Sequence, residues 1–192
     1  MKKILLVFLI AIASCKPLPP EEKEFAEIVD GFPVLDLPAK FPEWDREMDP
    51  ISSEKTKTFI NKFFEKNYIG LWGRVFPRES LYYLIGTQPD DQGTPFLFAF
   101  DRTGKIITKA ALLSGEYISA DISSSTDNQT ILSDDMSFVE TDSLRTSQLN
   151  PEGTDAIRGT EVCRVTVRKF QINKDGQVSL LSSDSSSVKT GR

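Results

Sequence analysis

Beyond residue 80 the chain alternates apolar and polar positions, a pattern that predicts antiparallel β structure. Leu81 to Ile85 is a short run of aromatic and branched side chains. Phe96, Phe98 and Phe100 alternate with Leu97 and Ala99, Asp101-Arg102-Thr103-Gly104 turns the chain, and Lys105 to Leu113 returns as the next strand. Gln129 to Glu140 predicts a strand or a pair, divided near Asp134-Asp135. Glu161 to Ile172 predicts another strand with Cys163, Val165 and Val167 on one face. The parity changes between Val167 and Phe170, which predicts a bulge near Arg168-Lys169. Asn173-Lys174-Asp175-Gly176 turns again, and Gln177 to Ser182 is the last predicted strand.

A helical period occurs between Ser53 and Asn67. Phe59, Ile60, Phe63 and Phe64 form one apolar face, Ser53 and Glu54 suit the helix start, and Asn67 suits its end. Such a phenylalanine stripe predicts docking on the following sheet. Residues 25–50 hold Pro33, Pro38, Pro42 and Pro50 among many apolar side chains. That mixture predicts an irregular but ordered segment packed over the main domain. Glu140 to Gly159 reads as a long polar surface loop, and Ser182 to Arg192 as a frayed tail. Phe98 to Ile106 and Phe170 to Val178 repeat one order: aromatic, any, apolar, Asp or Asn, basic, any, Gly, polar, apolar. Each Gly supplies the positive φ of a tight hairpin.

The expected fold class is therefore α+β, mainly β: an antiparallel meander sheet packed by one amphipathic helix. The expected organisation is 1–14 signal peptide, 15–24 lipidated tether, 25–182 single globular domain and 183–192 disordered tail.

The first fifteen residues carry the clearest functional signal. Lys2 and Lys3 precede ten apolar residues, Ile4 to Ala13, a run too short to span a bilayer. Ile12-Ala13-Ser14-Cys15 places an aliphatic residue and two small ones before a cysteine. This segment resembles the signal of bacterial lipoprotein precursors, whose lipobox has that order. The resemblance covers these fifteen residues. It implies cleavage between Ser14 and Cys15, a diacylglyceryl group on the Cys15 sulfur, and acylation of the new amine with a chain such as palmitate. Ile12 stands where Leu is commonest. Each buried methylene contributes about 0.8 kcal/mol, and a single chain gives only reversible attachment. Several chains on Cys15 would make it permanent. Three prolines follow within residues 17–20, which suits an extended spacer. Lys16 stands where an inner-membrane retention signal has Asp, so the resemblance points to the outer membrane, on either face. The implied partners are the lipid bilayer, through acylated Cys15, and an envelope protein or glycan. The helix-and-meander pattern also resembles that of small exported envelope lipoproteins.

Removing Lys2 and Lys3 from 23 basic residues leaves 21 against 28 acidic ones, a net charge of −7. With no basic stripe, nucleic acid is excluded as a partner class. Histidine is absent, which removes Ser-His-Asp and Cys-His catalysis and the commonest zinc ligand. Phosphate-cradling glycine loops are missing as well. With Cys15 lipidated, Cys163 is a leftover thiol, read as a small core residue or, alternatively, as a redox thiol. Neither Asp90-Asp91 nor Asp134-Asp135 makes a ready acid–base pair, because neighbours on a strand point to opposite faces. Asn173-Lys174-Asp175-Gly176 and Asp127-Asn128 contain fragments of calcium loops without the full pattern. The expectation is no catalytic residue, no metal and no cofactor. Two rivals remain: a carboxylate-based glycan hydrolase, and a small-ligand or inhibitor module using Phe32, Phe41, Trp44 or Trp72 as a stacking lip.

Overall fold

A computed structural model describes residues 18–41, 54–64, 70–78, 81–87, 94–113 and 122–190. The elements are α1 (Pro20–Asp30), β1 (Ala39–Phe41), α2 (Glu54–Phe63), β2 (Gly70–Arg78), β3 (Leu81–Thr87), β4 (Pro95–Phe100), β5 (Ile106–Ala111), β6 (Ile122–Leu132), β7 (Ser137–Gln148), β8 (Val162–Ile172) and β9 (Val178–Lys189). The fold is mainly β with antiparallel sheets, as the alternation implies. The strands form two sheets: β2-β3-β4-β5, and β1-β6-β7-β8-β9.

The four-stranded sheet is buried on both faces, which explains the unbroken apolar runs of β3 and β4. Leu84, Phe98 and Phe100 face the helices, where Phe25, Phe59 and Phe64 cover them. Tyr83, Ile85, Leu97 and Ala99 face the other way, onto Leu132, Met136, Phe138 and Ile172 of the second sheet. The order of layers is helices, four-stranded sheet, five-stranded sheet.

Two helices are present among the described residues, where the periodicity predicts one. The missed helix, α1, occupies Pro20 to Glu24 of the expected tether and the start of the expected irregular segment. Its signals are local. Pro20 stands in the first turn with Glu21 and Glu22, and Phe25 and Val29 are buried one turn apart. The proline pattern masked it, because Pro20 starts a helix as readily as it extends a spacer. The helix α2 does dock its phenylalanine face on the sheet. Phe64 lies 5.0 Å from Phe98 and 5.5 Å from Phe100 between ring centroids. Ser53 and Asn67 lie outside the described residues.

Two further expectations are corrected. β7 runs to Gln148, into the expected polar loop, and β9 runs to Lys189, through most of the expected tail. Both segments are polar, yet each pairs along its length, β7 with β6 and β8, and β9 with β8. Backbone hydrogen bonds to an existing neighbour hold a strand whose own side chains give no strand signal.

The hairpins are built alike. Asp101 N–H donates to Lys105 O and Gly104 N–H to Asp101 O; Asn173, Gly176 and Gln177 repeat the pair, as do Ser133, Met136 and Ser137. Gly104 and Gly176 have φ of 87° and 78°, and Met136 fills the same place at 64°. The internal rhyme is thus a turn rule, with a third copy that the sequence disguises. In the first turn, burial works against the Asp101 charge. Hydrogen bonds from the Thr103 hydroxyl and from the Lys105 and Thr103 N–H groups outweigh it, so the carboxyl stays below its usual range.

Candidate functional site

Strands β6 to β9 outreach the four-stranded sheet, at 11 or 12 residues against 6 to 9. In the near half, Phe138, Leu132 and Ile172 point inward to the core. Alternation carries Glu140, Asp142 and Leu144 onto that same inner face, and all three are buried. The register sets Arg168 opposite Glu140, Thr166 opposite Asp142, and Asn128 opposite Asp142 on the other side. Polarity is therefore inverted in the far half, with charged groups inward.

Two carboxylates thus lie two residues apart at 3 % exposure each. Arg168 Nη1 lies 3.4 Å from Glu140 Oε2. With its amide turned so that nitrogen faces the carboxylate, Asn128 Nδ2 lies 2.6 Å from Asp142 Oδ1. Desolvation raises the Asp142 pKa above its usual value, the Arg168 charge opposes this, and the Glu140 charge adds to it. This is the only group the structure assembles, among the described residues, that has paired carboxylates with one of them held toward its neutral form. The sequence hides it because Glu140 and Asp142 sit in a polar run that resembles a loop.

The sign of the effect can be measured. Because the folded-state pKa lies above the unfolded one, Asp142 favours the folded state below its unfolded pKa, and that contribution is lost as pH rises through the folded value. Asp142→Asn removes the charged form. The melting temperature of the variant relative to the native protein is therefore expected to be higher at pH 7 than at pH 3. Thermal melts at both pH values check this, and an unchanged difference refutes it.

The residues singled out from the sequence are scattered. Ser14, Cys15, Trp44 and Asp90-Asp91 lie outside the described residues. Cys163 is not a core residue. It is half-buried on the outer face of β8, its Sγ 3.7 Å from Ser143 Oγ. The reason is that β7 and β8 pair without a register shift, so Phe170 and Ile172 face inward and Cys163, Val165 and Val167 face outward. The register shift falls between β8 and β9, at Lys169 and Phe170. Phe32 and Phe41 are buried, and Trp72 is half-buried, stacked on Phe41 at 5.9 Å. These three clad the core and form no exposed lip.

Asp134 and Asp135 belong to the β6–β7 turn, where Asp135 Oδ1 accepts from the Ser137 N–H and hydroxyl. Asn173 Oδ1 accepts from the Asp175 and Gln177 N–H groups, so these oxygens serve the turns. Among the described residues no group of three or more Cys, Asp or Glu is placed to hold a metal ion. A cavity of about 470 Å³ opens where these two turns meet β3, lined by Tyr83, Asp135, Met136, Gln171, Ile172, Asn173 and Lys174. It lies apart from Glu140 and Asp142. No family model, curated protein or solved structure matches the chain.

Proposed function

We propose that the chain is an exported protein held at the outer membrane of the cell envelope by lipid on Cys15, on either face, and that its folded part does non-catalytic binding or structural work. The observation that carries this is the order of residues 1–15: two lysines, then ten apolar residues whose last two open Ile12-Ala13-Ser14-Cys15. The acidic charge of the remaining chain accords with attachment through acyl chains rather than through anionic head groups. The bilayer, through acylated Cys15, is one partner; an envelope protein or glycan is the other.

Native protein is expected to stay with membranes after a salt wash, and Cys15→Ala to be released into the soluble fraction. Mass spectrometry of the mature amino terminus, starting at a triacylated Cys15, checks the same point. A Cys15→Ala protein that still sediments with membranes refutes the anchor.

One observation favours a second reading. Glu140 and Asp142 sit together on one buried face, and burial holds the Asp142 carboxyl toward its neutral form, as the general acid of a carboxylate-based glycan hydrolase requires. Release of reducing sugar from envelope glycan by the native protein, lost in both Glu140→Gln and Asp142→Asn, would select that reading over the non-catalytic one.

A further inference from the structure

We infer that the outer face of the five-stranded sheet binds a second copy of this chain, the two sheets crossing at a steep angle about a two-fold axis. This inference is independent of the anchor.

In an antiparallel sheet with one covered face, the outward positions are normally polar. Here the outward side of β7 and β8 carries Val139, Val165 and Val167, all half-buried, while Glu140, Asp142 and Arg168 point inward. At two corners of this face stand Ile131, 41 % exposed, and Val188, 61 % exposed. The face is therefore built to be covered, and its rim identifies the cover.

The pairing register lays β6, β7, β8 and β9 out as four columns, and their outward residues as four rows. Arg145 stands in the second column and first row, and Asp127 in the first column and second row. Lys169 stands in the third column and fourth row, and Asp184 in the fourth column and third row. Exchanging rows for columns, which is what a two-fold axis along the diagonal does, places Arg145 of one copy over Asp127 of the other. It also places Lys169 over Asp184, and Ile131 over Val188. Columns are about 4.8 Å apart and rows about 6.8 Å, so each match holds to within about 4 Å, less than the reach of the side chains. Axes along or across the strands instead set each of these charges over an uncharged residue; the other diagonal pairs Arg145 with Asp184 but sets Ile131 on Ile131 and Val188 on Val188, a contact that the single-cysteine variants below tell apart.

All four charged side chains are exposed, and among the described residues none of them makes an ion pair within the chain. Orthogonal packing of sheets is an established geometry, and a two-fold contact uses the same patch on both copies. The patch covers about 500 Å² per copy, roughly 1,000 Å² in all, which suits a weak, reversible dimer.

The test uses the full chain in native envelopes, in a Cys163→Ser background. Ile131 and Val188 lie at opposite corners, about 25 Å apart within one chain, far beyond the reach of a disulfide. Mild oxidation of the double variant Ile131→Cys, Val188→Cys is expected to give a disulfide-linked dimer of this chain on a non-reducing gel. Each single variant is expected to stay monomeric. Adding Arg145→Asp is expected to lower the dimer yield about tenfold or more, because the axis repeats the like-charge contact twice. Adding Asp127→Arg to that variant is expected to restore it, which also shows that the reversed chains fold. A monomer in the double-cysteine variant, a mixed disulfide with another protein instead of the dimer, or no restoration by the second reversal overturns the inference.

Discussion

Phe59→Ala is expected to lower the unfolding free energy by about 3–5 kcal/mol, the usual cost of emptying a fully packed aromatic site. Phe59 is 0 % exposed and is the hub between the helices and the sheet. Its ring centroid lies 5.3 Å from Phe32, 5.8 Å from Phe25, 5.9 Å from Phe64 and 6.1 Å from Phe100. Removing it takes contacts from both helices and from β4 at once, and rings held by one another relax little into the space. Chemical denaturation of both proteins measures the loss. A change below about 1 kcal/mol would mean that the helices do not depend on this cluster, and the layer order given above would then be wrong for the helical layer.

Gly104→Ala is expected to cost about 2–5 kcal/mol, although it adds only one methyl group. Two effects add. The residue has φ of 87°, where a side chain costs roughly 1–2 kcal/mol. A Cβ there would also overlap Phe63 Cε1 and come within 2.6 Å of Phe25 Cδ2, an overpacking that costs typically about 1–3 kcal/mol. The same substitution at Gly153 separates the two terms. That residue has φ of 72° with nothing within 4 Å of the added carbon, so only the backbone term of roughly 1–2 kcal/mol remains. Denaturation of the two variants in parallel checks the difference, and equal losses would show that the Phe25–Phe63 contact against the turn contributes nothing.

The comparison of sequence with structure turns on which rows of residues get covered. The helix face of Phe59, Phe63 and Phe64, the strands β3, β4 and β8, and the turns at Gly104 and Gly176 follow from spacing alone, because each needs only its own side chains to declare a period. β7 and β9 do not declare one. Ser137 to Gln148 and Val178 to Lys189 are polar because one is charged on its inward side and the other is an edge, and both are held by neighbours. Misreading Cys163 has the same root: Val165 and Val167 have the right period for a core face, but Phe138 and Phe170, stacked at 4.6 Å, fix the opposite face inward.

By itself the sequence determined the mainly β class, the order of most strands, the turn chemistry and the lipobox-like segment ending at Cys15, since these are local patterns of side-chain type. Only the tertiary structure decided that the strands divide into two sheets, that Glu140, Asp142 and Arg168 share a buried face, and that valines face out beside Arg145 and Lys169. Pairing register links residues far apart in the chain, Glu140 with Arg168 among them, and alternation alone states that two faces differ without saying which one the rest of the chain will cover.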